Sequence, residues 1–129
     1  MSETKKAEQT KETKETAAEQ RIGKVFLDAV TANFPKHREA RQRLAEFAQN
    51  KDALIAAEPD EAKRRQMLEE GRREYAELER ETMTPVFQAV NNAVAAAAKA
   101  KGLSAVFSFD ALLYGGIDIT EEAIKELNK

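Results

Sequence analysis

Cysteine is absent from the 129 residues of this chain. That excludes disulfides, thiolate catalysis and the usual structural zinc sites, and it leaves the redox compartment open. Histidine occurs once, at His37, so a histidine-based metal site or catalytic triad lacks its partners. His37 therefore reads as a solvated or structural residue at the base of a helical hairpin. No charge of one sign dominates: 21 basic residues stand against 23 acidic ones, for a net charge of −2. A global basic field that would favour nucleic acid or an anionic membrane is excluded. No apolar run approaches the roughly 18 residues of a membrane span, and Met1 to Gln20 has no hydrophobic segment that could form a signal-peptide core. The chain is expected to be soluble, and either cytosolic or supplied without its leader.

What is present is helix-rich: 42% hydrophobic and 34% charged residues with only 6% aromatic, a composition unlike that of a dense single core. Residues 1–20 are Glu, Lys, Thr, Gln and Ala with no large apolar residue beyond Met1, and read as a disordered charged tether. Ile22 to Asp28 is a short apolar run suited to a buried strand. Asn33-Phe34-Pro35 is a helix start signal, with Pro35 in the first turn and large apolar residues following at Leu44, Phe47, Leu54 and Ile55 up to about Ala57. Pro59-Asp60-Glu61 interrupts this helix and opens a second, which runs to about Lys101 before the Gly102 stop. The second stripe is Leu68, Gly71, Tyr75, Leu78, Thr82, Val86, Val90, Ala93 and Ala97, continuous at steps of three and four.

Folding back at Pro59 sets Ala40 opposite Leu78, Leu44 opposite Tyr75, and Phe47 opposite Gly71, whose missing side chain would make room for the ring. Residues 36–81 thus predict a hairpin arm roughly 33 Å long, at about 1.5 Å per residue. Its eleven basic and twelve acidic residues leave it near neutral. Pro85 removes a backbone donor from the second helix and predicts a kink. Leu103 to Phe109 and Leu112 to Tyr114 read as strands, Gly115-Gly116 as a turn, and Thr120 as the N-cap of a final helix with Glu121 and Glu122 in its first turn.

Residues 21–35 and 82–129 together make a body too small to be secure as a monomer, with short strands that leave open edges. An obligate oligomer follows, joined through Val25, Phe26, Leu27, Val106, Phe107, Phe109, Leu113 and Tyr114. A clean monomer at micromolar concentration would exclude it.

The order of elements from Arg21 to Lys129, and above all the tail Gly116-Ile117-Asp118-Ile119-Thr120, resembles the Skp/OmpH family of periplasmic outer-membrane-protein chaperones. The resemblance implies an α+β fold: a long α-helical hairpin arm projecting from a small β-rich trimerisation body, in a jellyfish-like homotrimer. It also implies a periplasmic, ATP-independent holdase that keeps unfolded outer-membrane β-barrel proteins in a cavity between coiled-coil arms, without cofactors. The arm here is less basic and shorter than is usual in that family, which implies a smaller cavity. Client contact is expected on the arm at Leu54, Ile55, Met67, Leu68, Tyr75, Arg64 and Arg72.

An adaptor docking one specific folded envelope partner through its coiled-coil arm is the alternative. It predicts one saturable partner and sharp hot spots, whereas a holdase should weaken only gradually on alanine replacement at Leu54, Ile55 and Met67. The clusters Lys63-Arg64-Arg65 and Arg72-Arg73 are interleaved with acids in ordinary i,i+4 pairs and read as a solvated face. Nucleic-acid binding through them would fall steeply with salt. Glu69-Glu70 and Glu121-Glu122 read as helix surface and helix N-terminus. No nucleophile with a base and no metal constellation can be assembled, so an enzyme is not expected.

Overall fold

Ile22–Val25 forms the central strand, β1, and turns Gly23 and Val25 inward. The computed structural model describes residues 21–129; the tether expected over 1–20 lies outside the described residues. The elements after β1 are α1 (Leu27–Ala32), α2 (Pro35–Ala57), α3 (Glu61–Ala100), β2 (Ala105–Ser108), a 3-10 turn (Phe109–Ala111), β3 (Ile117–Asp118) and α4 (Thr120–Leu127). The class is α+β, mostly helical with a three-stranded sheet. The chain divides into two compact units, residues 34–89 and the described residues up to Asn33 together with residues 90–129. Helix α3 contributes to both.

In the hairpin unit, α2 begins with Pro35 at its first position, where the missing N–H costs nothing. The turn into α3 is closed by side chains. Asp60 Oδ1 accepts the Ala62 N–H at 3.3 Å, and Arg64 Nη1 donates to the Glu58 carbonyl at 2.9 Å, satisfying an orphan oxygen after α2. Ala40, Leu44, Met83 and Val86 are buried in this unit, with Leu44 almost fully enclosed. Met83 belongs to the buried stripe although the 3- and 4-residue walk through Thr82 and Val86 passes it by. Helix α3 continues unbroken through Pro85.

The expected pairing of the two helices needs correction. Phe47 meets Tyr75, with ring centroids 6.4 Å apart, and Lys51 Nζ pairs with Glu74 Oε2 at 2.9 Å. The helices are offset by about one turn from the symmetric fold-back at Pro59. Gly71 is not under the Phe47 ring, since a Cβ added there would meet nothing within 4 Å.

The other unit is organised by the sheet, of order β2-β1-β3, with both pairings parallel. Gly23 pairs with Val106 on one side and Ile117 on the other. A Cβ at Gly23 would meet Leu103 Cδ1 at 2.5 Å and the Ile117 carbonyl at 3.3 Å, so close approach, not flexibility, requires glycine here. The apolar run that reads as one strand to Asp28 stops at Val25, and Leu27 starts α1. Asn33 closes that helix by donating from its amide to the Ala29 carbonyl at 2.7 Å.

Helix α3 ends as its Lys-Gly sequence predicts. Gly102 takes φ 67°, its N–H reaches the Lys99 carbonyl at 3.1 Å, and the Leu103 N–H reaches Ala98 at 2.9 Å. These two bonds form a Schellman stop, a left-handed geometry that glycine adopts without strain. Val25, Val30, Val90, Ala93, Ala97, Ile119 and Ala123 are buried in this unit.

Leu112 to Tyr114 is not a strand. After β2 the chain turns through Phe109–Ala111, and the third strand lies beyond the glycines, at Ile117–Asp118. Because β2 and β3 flank β1 and run parallel to it, residues 109–116 must cross from one side of β1 to the other, and 112–114 find no ladder partner in the protomer. The N-cap expectation also shifts, by one residue, to Ile119, whose side chain makes no capping bond. Thr120 is already helical, and Asp118 Oδ1 accepts both the Thr120 N–H at 3.0 Å and its hydroxyl at 2.6 Å.

Candidate functional site

The hairpin unit encloses an open, largely apolar cavity of about 300 Å³ between α2 and α3. Its walls are Phe47, Ala48, Lys51, Asp52 and Ile55 from α2, with Leu68, Gly71, Arg72 and Tyr75 from α3. The four-residue steps 47, 51, 55 put three side chains on one strip of α2. Residues 68, 71 or 72, and 75 do the same on α3. The Phe47 and Tyr75 rings meet at one end of this strip, and the lysine ammonium sits 5.7 Å from the Phe47 ring centroid while paired with Glu74.

Of the arm residues singled out from the sequence, Ile55, Leu68, Tyr75 and Arg72 come together on this wall. Leu54, Met67 and Arg64 do not. Leu54 is 57% exposed away from the cavity, and the Arg64 guanidinium is committed to the carbonyls of the interhelical turn. Phe47, Lys51, Asp52 and Gly71 also line the cavity; Phe47 and Gly71 belong to the two stripes read from the sequence, whereas Lys51 and Asp52 do not. A fold-back one turn out of register hides their meeting.

The second candidate surface is on the β-containing unit. Val25 is buried in the protomer's own core and Val106 is half-buried, whereas Phe26, Leu27, Phe107, Phe109, Leu113 and Tyr114 are exposed. Leu113 and Tyr114 stand almost wholly in solvent, at 103% and 94% of full exposure. The Phe26 and Phe109 rings stack at 5.6 Å, and Lys24 Nζ lies 5.1 Å from the centre of Phe109.

This surface is held by a short polar relay at the start of α4. Asp118 accepts two hydrogen bonds from Thr120, and Thr120 Oγ1 in turn accepts the Phe26 N–H at 3.0 Å. The relay ties β1, β3 and α4 at one corner, next to the exposed aromatic pair.

A family model described as outer membrane protein (OmpH-like) matches residues 1–127. The chain belongs to the OmpH-like family. No curated protein matches it. The resemblance carried by the tail thus extends over nearly the whole OmpH-like chain. OmpH-like proteins are periplasmic chaperones for outer-membrane proteins, not enzymes. Among the described residues of this OmpH-like chain, no helix is long and apolar enough to cross a membrane.

In this OmpH-like tail the Asp118 carboxyl is held below the usual aspartate range, first by the Thr120 hydroxyl and then by the Thr120 N–H and the Lys24 charge, against some burial. Its native pKa lies below its unfolded one, so between the two values the unfolded chain binds more protons. The stabilisation is therefore present above the unfolded pKa and is lost as pH falls through the native one. Asp118→Asn should lower the melting temperature at neutral pH, and the gap from the wild type should begin to narrow below about pH 4 and close only as the pH falls through the lowered native pKa. Thermal melts of the two proteins across that range check this, and a gap independent of pH would refute it.

Proposed function

We propose that this protein is an ATP-independent holdase of the periplasm that works as a homotrimer. Three copies associate through the apolar surface around Leu113 and Tyr114. Their hairpin arms then surround an unfolded outer-membrane β-barrel protein and keep it from aggregating. The observation that carries the reading is the pair of fully exposed side chains at Leu113 and Tyr114, in a segment that has no strand partner of its own, within a family of outer-membrane-protein chaperones. Unpaired backbone beside exposed apolar side chains is a template for another chain. A near-neutral arm with scattered apolar residues supports many weak contacts instead of one strong one.

The test is the molar mass, by light scattering during size-exclusion chromatography, of the protein mixed with a urea-diluted outer-membrane β-barrel. A soluble peak of three or six chains with one client is the expected result. A free trimer beside precipitated client would exclude the holdase and favour an adaptor for one folded envelope partner. A free monomer that leaves the client to aggregate would exclude both the trimer and the cavity.

A further inference from the structure

We draw no further inference here: the strongest candidate, the free outer edge of β2 with the apolar groove of Val94, Ala98, Leu103 and Val106 beside it, carries no proposal because nothing in the structure shows which chain, a client or a second copy, covers it.

Discussion

Ile119→Ala is expected to lower the unfolding free energy by about 3 kcal/mol, within the 2–5 kcal/mol range for truncating a buried isoleucine. Ile119 has no exposed surface and sits where β3 passes into α4. The other buried side chains of its unit are Val25, Val30, Val90, Ala93, Ala97 and Ala123, so no flexible buried neighbour such as methionine is at hand to close the gap. Its backbone bonds, from its N–H to the Lys24 carbonyl at 3.0 Å and from the Ala123 N–H to its own carbonyl at 2.9 Å, survive the substitution. The loss is therefore one of volume and dispersion contacts. Ile119→Val should cost only about 1 kcal/mol. Urea denaturation at one fixed chain concentration is the measurement, because association adds to apparent stability by mass action. Equal and small effects from both variants would mean that Ile119 is not the centre of this core.

Where a residue's role depends on its near neighbours in sequence, the sequence shows it. Pro35 starts α2 and Lys101-Gly102 stops α3 because both signals act through the backbone within one turn. The apolar stripe along α3 is legible for the same reason. Misreadings cluster where a distant partner decides. Leu112 to Tyr114 has the composition of a strand, but strand formation needs a ladder, and the neighbours of β1 are already β2 and β3. Thr120 has the right chemistry for an N-cap, yet it is already the first helical residue; the parallel pairing of Lys24 with Asp118 positions the aspartate, one residue before the Ile119 cap, to accept the Thr120 N–H, while the threonine hydroxyl accepts the Phe26 N–H.

The candidate site follows the same rule. Ile55, Leu68, Arg72 and Tyr75 share a cavity because their spacing along each helix is regular. Phe47 and Lys51 join them only through an interhelical offset of about one turn, which no periodicity within one helix encodes. Arg64 shows the converse. It looks like part of a basic surface cluster in the sequence, but the carbonyls exposed at the end of α2 claim it.

The double variant Leu113→Asp with Tyr114→Asp should convert the proposed trimer into a monomer at micromolar concentration, with the measured mass falling to one third. Both side chains are essentially fully exposed in the protomer. Their replacement should therefore change the protomer's own stability by no more than about 0.5 kcal/mol. In an interface the same change buries two unpaired carboxylates per chain, each costing several kcal/mol, and symmetry repeats the penalty at every contact. Far-UV circular dichroism should retain the helical signal of α2 and α3, while the urea midpoint falls and loses its dependence on chain concentration. Suppression of β-barrel aggregation should disappear with the trimer, since a single hairpin cannot enclose a client. An unchanged mass would move the contact to the free edge of β2, where Phe107 is also exposed, and would leave Leu113 and Tyr114 available to bind clients directly.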